Sequence, residues 1–171
     1  MTPAKQKTGF LAQVGILEDL THEELDIVRR ILRPVEFAAG SVIMREGEPG
    51  DTMYLFADGE VQVSKNLTLK LGKKGFAQAE KSMVTLNARN VSFFGDMAII
   101  ENDSRSATIT ASTDCNLYEI TRNDFEEICS RHPAIGYKIL RRVAAVLCKR
   151  IRDGNQDILK LTTALSIALS K

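Results

Sequence analysis

The sequence predicts a mainly β fold with flanking helices: an eight-stranded, jelly-roll-like β-roll with an N-terminal helix and a long C-terminal one. Two observations carry this. Between Val35 and Thr121, short runs rich in Val, Ile, Thr, Tyr and Phe alternate with Gly and Asp punctuation. On either side the apolar residues recur at helical spacing instead. Eight short strands in so compact a stretch favour a closed roll, because closure removes exposed strand edges.

The first helical signal is Thr21-His22-Glu23-Glu24, a capping box, followed by Leu25, Val28, Ile31 and Leu32 on one face. Pro34 is expected to stop that helix. The strands are read at Val35–Phe37, Ser41–Arg45, Thr52–Phe56, Glu60–Lys65, Met83–Asn87, Val91–Phe94, Ser106–Ser112 and Asn116–Ile120. Glu48-Pro49-Gly50-Asp51 fits a type II turn with Gly50 at positive φ. Asp58-Gly59 fits a two-residue hairpin turn. Asn66–Ser82 is the least readable stretch. Its four lysines, Lys70, Lys73, Lys74 and Lys81, with Lys65 just before it, suit a solvated hairpin tip or a basic loop. Thr121 is the expected N-cap of a helix over Arg122–Arg131, and Pro133 opens the last helical region.

The totals exclude several classes. At 171 residues, one domain is the expectation. We divide it into residues 1–132, the roll with its N-terminal helix, and 133–171, a C-terminal lid or dimerisation helix of the same domain. Net charge is +1, which offers no wholesale attraction to nucleic acid or an anionic membrane. The three scattered cysteines, Cys115, Cys129 and Cys148, read as reduced thiols of a cytoplasmic protein, not as a disulfide framework. With only His22 and His132, far apart, a zinc site has little to build on. Met1–Thr8 is polar and unlike a signal peptide, and Ile158–Leu169 is too short and polar to span a bilayer.

The informative segment runs from Phe93 to Thr108. A strand ends at Phe94, and Gly95 lets the backbone turn and approach a ligand closely. Met97–Glu101 can form one helical turn whose free amides face back toward Gly95. Nine residues after Asp96 comes Arg105, then Ser106, at the start of the next strand. The unit offers backbone donors for phosphate oxygens, a guanidinium for their charge and a carboxylate for a sugar hydroxyl. On the bare residues two alternatives stay open: Asp96 as a cap of the short helix, and Arg105 in a salt bridge to Asp103 or Glu101.

This segment resembles the phosphate-binding cassette of the cyclic-nucleotide-binding family, which includes kinase regulatory subunits, cyclic-nucleotide-gated channels and the catabolite activator protein. The upstream residues Gly40, Ile43, Gly47, Gly50-Asp51, Met53-Tyr54, Gly59, Val61 and Val63 are similar to that family's glycine-punctuated first strands. The resemblance covers roughly residues 10 to 150. It implies that Arg105 and Ser106 hold the exocyclic oxygens of a cyclic phosphate, with Gly95, the amides near Met97 and Ala98, and Ala107 completing the cradle. It implies that Asp96 takes the ribose 2′-hydroxyl. The family pattern has Glu at that position, one methylene longer. It also suggests Arg152 or Asn155 as contacts to the base, from the same or a second subunit. The expected ligand is cAMP, with cGMP as the alternative, because Ser106 does not single out guanine as a threonine would.

Leu140, Ala144, Leu147, Ile151, Gly154, Ile158, Leu161, Leu165 and Ala168 are spaced alternately by four and three. That seam predicts a coiled-coil homodimer, and Gly154 inside it suggests a hinge. No nucleophile–His–acid grouping, P-loop or metal motif is evident, so the expectation is a sensor and not an enzyme. Such a sensor would pass ligand binding through its C-terminal helix to a dimer mate or a downstream protein. The alternatives are a dimer of the same fold that has lost its ligand, and the sensor part of a transcription regulator. The latter would need a DNA-binding segment that this chain, ending at Lys171, does not carry.

Overall fold

The computed structural model describes residues 11, 14–71, 75–89, 91–101 and 103–170. The prediction of Met1–Thr8 and the lysines at 73 and 74 lie outside them.

Helix α1, His22–Arg29, opens with the expected capping box. The Glu24 amide donates to Thr21 Oγ1 at 3.3 Å, and the Thr21 amide donates to Glu24 Oε2 at 2.8 Å. The helix ends four residues before the chain enters strand β1, Arg33–Phe37. Pro34 therefore does not stop the helix but lies inside a strand. It is tolerated there because β1 is an edge strand, paired only with β8.

Eight strands form two antiparallel four-stranded sheets. One runs β1-β8-β3-β6, the other β2-β7-β4-β5, with β2 at Val42–Met44, β3 at Thr52–Asp58, β4 at Glu60–Leu71, β5 at Gly75–Asn87, β6 at Phe93–Phe94, β7 at Thr108–Ala111 and β8 at Cys115–Thr121. The interior between the sheets holds Met44, Tyr54, Phe56, Val61, Phe94, Ile109, Ala111, Cys115 and Leu117. The second core lies outside the first sheet. There Met53, Leu55, Phe93 and Ile120 meet Leu17, Leu25 and Val28 from the N-terminal segment and Phe125, Ile128, Ile135, Ile139 and Val143 from the C-terminal helices. Side chains alternate along a strand, so β3 sends Met53 and Leu55 to one core and Tyr54 and Phe56 to the other. Its unbroken apolar run follows from burial on both faces.

Two turns differ from expectation. Asp58-Gly59 does not close a hairpin. β3 belongs to the first sheet and β4 to the second, so Gly59 marks a corner where the chain changes sheets. Its φ is +101°, and a Cβ there would lie 2.7 Å from the Asp114 carbonyl oxygen. Gly50 is not at positive φ; that role falls to Gly47, at +83°, in a turn closed by the Glu48 amide on the Arg45 carbonyl at 3.3 Å. In the hard-to-read stretch, 66–71 and 75–82 continue β4 and β5 as paired strands, whose register runs from Glu60↔Asn87 to Leu71↔Gly75.

Helix α2 is Asp96–Glu101, and α3 is Arg122–Arg131 with the Asp124 amide on Thr121 Oγ1 at 3.2 Å. Helix α4, Pro133–Leu169, runs for 37 residues and is unbroken at Gly154. Its contact stripe Ile135, Ile139, Val143, Val146 faces the roll; beyond Lys149 every described residue is exposed. No helix among the described residues is long and apolar enough to cross a membrane.

Candidate ligand pocket

One open end of the roll is a pocket of about 230 Å³, lined by Gly95, Asp96, Met97, Ala98, Ser104, Arg105, Ser106 and Ala107, by apolar walls from Met44, Val63, Val84, Leu86, Phe94 and Ile109, and by Arg150. The six residues expected to hold a phosphate, together with Asp96, are thus brought into one hollow. Strand β6 delivers Phe94 to the interior, and Gly95 at φ +81° turns the chain into α2. A Cβ on Gly95 would sit 2.9 Å from the Thr52 carbonyl oxygen and 3.2 Å from Arg105 Nη1, so the close approach itself requires glycine.

Arg105 is buried, with 8% of its surface exposed. Its Nη1 donates to the Thr52 carbonyl and its Nη2 to Thr52 Oγ1, each at 2.7 Å. Neither Asp103 nor Glu101 pairs with it. Asp103 instead accepts from the Ser104 amide at 2.6 Å. Among the described residues Arg105 has no ion-pair partner, so a buried cation faces the hollow with its charge uncompensated by direct contact. Burial pulls its pKa below the ordinary guanidinium range, though Tyr54, Asp51 and Glu119 counter that pull. A guanidinium stays protonated regardless, and an anion entering the pocket would meet an oriented, poorly solvated donor.

Asp96 is also buried, at 4% exposure, and it does not stand alone. Both its carboxylate oxygens lie 3.2 Å from Nη1 of Arg150, which reaches in from α4. The Arg150 guanidinium lies over the Phe93 ring, 5.4 Å from its centroid, within cation–π range. Arg150 also borders a second hollow of about 380 Å³ between β5 and α4, lined by Val91, Val146, Lys149 and Asp153 among others. Arg152 and Asn155 are exposed and line neither hollow. Ser106 is exposed at the pocket rim and Met97 is 43% exposed, while Ala98 is buried with its amide on the Gly95 carbonyl at 3.2 Å. Arg122, the first residue of α3, donates to the Ala98 carbonyl and so ties the middle of α2 to α3.

Arg150 is the site residue that sequence reasoning missed. A signal for it exists: Ile135, Ile139, Val143, Val146 and Arg150 form a helical stripe of spacing 4, 4, 3, 4, distinct from the heptad seam. The stripe's last member is a cation where the others are apolar, at the level of the pocket. Among the described residues no group of His, Cys, Asp and Glu could hold a metal.

The hollow thus joins a buried arginine without an ion pair among the described residues to a carboxylate held by a second arginine. The cyclic nucleotide-binding domain model matches residues 34–132. The chain belongs to that family. It is 34% identical over 135 residues to a cyclic nucleotide-gated potassium channel of Mesorhizobium japonicum, covering 79% of this chain and 33% of the channel. It is 25% identical over 152 residues to the CRP-like cAMP-activated global transcriptional regulator of Mycobacterium tuberculosis, covering 89% of this chain and 62% of the regulator. A cyclic nucleotide-binding domain from Methylobacillus flagellatus superposes with a TM-score of 0.76 at 23% identity, over 91% of this chain and 84% of that one. The chain spans about a third of the length of the channel and under two thirds of the regulator.

Proposed function

We propose that this chain is a sensor module that binds cAMP in preference to cGMP, and that it is a binding module and not an enzyme. The observation that carries the reading is Arg105: buried, aimed into a hollow beside Gly95, and without an ion pair among the described residues. A cyclic phosphate is a monoanion that a planar fork suits better than a point charge. The exocyclic oxygens would meet Arg105 and Ser106, and the ribose hydroxyl would meet Asp96. Ser106 in place of a threonine favours adenine over guanine, and the name of the mycobacterial relative supports the same preference.

Helix α4 is the proposed output. It contributes Arg150 to the pocket and then leaves the roll, with Ile151, Ile158, Leu161 and Leu165 each more than half exposed. From Ile151 onward the seam is exposed, beyond the stripe that packs on the roll, which supports a homodimer through α4. Arg152 and Asn155 stand near that seam, where a second subunit would bring them toward the pocket. A ligand that binds one α4 arrangement better shifts the population toward it.

Calorimetric titration with cAMP and cGMP, with Arg105→Ala alongside, tests the reading. The unaltered chain is expected to bind cAMP at micromolar or lower Kd. The substitution is expected to cost about 2–5 kcal/mol, roughly 30-fold to several thousand-fold in affinity. No binding of either nucleotide would overturn the reading and leave a dimeric interaction module.

A further inference from the structure

The cation in the pocket is connected to a carboxylate elsewhere in the roll. Arg105 Nη2 donates to Thr52 Oγ1 at 2.7 Å, Thr52 Oγ1 donates to the Tyr54 phenol oxygen at 3.4 Å, and that phenol donates to Glu119 Oε1 at 3.1 Å. Each hydroxyl carries one proton. Thr52 accepts from a cation that can only donate, so its own proton goes to Tyr54, and the phenol proton then goes to the carboxylate. The chain therefore has one direction, from guanidinium to carboxylate. Strand geometry builds it. Thr52 and Tyr54 are two apart on β3 and share a face. Glu119 stands directly opposite Tyr54 in the β3–β8 register. The Tyr54 ring is held by Phe94, stacked at 5.3 Å, and by Phe37, edge-on at 6.1 Å.

We infer that Thr52, Tyr54 and Glu119 are positioning residues for phosphate recognition: they fix the plane in which the remaining N–H edge of Arg105 meets the exocyclic oxygens, and Glu119 is its remote counter-charge. The inference rests on the reading of the pocket as a cyclic-phosphate site. Two of the five guanidinium N–H donors are spent on Thr52, one on its carbonyl and one on its hydroxyl, so the ring of donors cannot rotate without breaking both. A hydroxyl relieved of its own acceptor would be free to turn, and the anchor would loosen.

The two exocyclic oxygens of a cyclic phosphate are stereochemically distinct, and sulfur accepts hydrogen bonds poorly. The Sp and Rp phosphorothioate analogues of cAMP therefore report how narrowly Arg105 is aimed. The experiment measures Kd for cAMP and for both analogues on the whole chain, as the unaltered protein, Tyr54→Phe, Glu119→Gln and the double variant. Tyr54→Phe deletes one oxygen and keeps the packed ring. Each single variant is expected to bind cAMP about three- to tenfold more weakly, the worth of one hydrogen bond. The ratio between the two analogues should move toward one, and the double variant should be no weaker than the poorer single one, because both break the same chain. Thermal midpoints without ligand verify that each variant is folded. An unchanged analogue ratio, or losses that add in the double variant, would make these residues supports of the core only. If the unaltered chain binds neither cAMP nor cGMP, the pocket reading fails and this inference with it. Binding with an unmoved ratio overturns this inference alone.

Discussion

Gly50 and Arg105 leave no space between them: a Cβ built on Gly50 runs into the Arg105 guanidinium, with Nη2 2.7 Å away and Nε closer still. The backbone at Gly50 is not at positive φ, so the demand is for room and not for conformational freedom. Gly50→Ala must push the guanidinium off its Thr52 anchors. The expected outcome is a loss of about tenfold or more in cAMP affinity, corresponding to at least one misplaced charge-assisted hydrogen bond, in a chain whose circular dichroism is unchanged. Wild-type affinity in this variant would mean that the arginine has other ways to lie.

The Asp96–Arg150 contact yields a second expectation. Arg150 is 39% exposed at its side chain and Asp96 only 5%, so the pair sits at the boundary of solvent. Its direct worth is therefore nearer the surface value of up to about 1 kcal/mol than that of a buried pair. Its mechanical effect should be larger, because Arg150 is the last α4 residue that touches the roll through the pocket. Arg150→Ala is expected to raise amide hydrogen exchange around residues 144–152. Asp96→Asn is expected to bring the affinities for cAMP and 2′-deoxy-cAMP together. Equal loss for both nucleotides would show that Asp96 does not read the sugar.

The ion pairs that dock the start of α4 predict a pH dependence. Asp19 accepts from Arg142 Nε at 2.6 Å and Arg141 Nη2 at 2.7 Å, and Glu24 accepts from Lys138 at 2.7 Å. Hydrogen bonds from Arg142 and then Arg141 hold the Asp19 carboxyl well below the usual range, and the Lys138 hydrogen bond lowers Glu24. A carboxyl held low binds fewer protons folded than unfolded, so its contribution is complete above the unfolded value, about pH 4, and is lost as the pH falls further. Thermal midpoints between pH 7 and pH 3 should fall steeply below about pH 4.5. Asp19→Asn should start lower at neutral pH and fall less. Parallel curves for the two proteins would count against this account.

The exposed seam of α4 predicts the assembly. Ile158 and Leu165 are 60% and 58% exposed in the single chain. Replacing both with Glu puts like charges face to face in a two-stranded coil. Light scattering after size exclusion should show a dimer for the unaltered chain and a monomer for Ile158→Glu/Leu165→Glu. A monomer in both cases would remove the homodimer from the proposed function.

The cassette was legible in the sequence because its parts are local. Gly95, Asp96, Arg105, Ser106 and Ala107 lie within thirteen residues, and the turn, short helix and strand between them all have local signals. The capping residues Thr21 and Thr121 were legible for the same reason. What stayed hidden was non-local. Asp58-Gly59 has the composition of a hairpin turn, and only strand pairing reveals that the chain changes sheets there. Lysines and glycines gave residues 66–82 the look of a loop, although cross-strand hydrogen bonds hold much of it as paired strands. Arg150 is 54 residues from Asp96, and Glu119 is 65 from Tyr54; neither pairing leaves a trace in spacing.

The length of α4 has a mechanical consequence. From Arg150 to Leu169 the helix projects about 28 Å at 1.5 Å per residue, and beyond Arg150 every described residue of it is exposed. A rod anchored at one end multiplies angle into distance. Tilting it by about 10° at the level of the pocket would carry its tip about 5 Å, which is close to one helical pitch. A sub-ångström adjustment of one guanidinium could thus be delivered far from the pocket as a displacement that a neighbouring protein surface can feel.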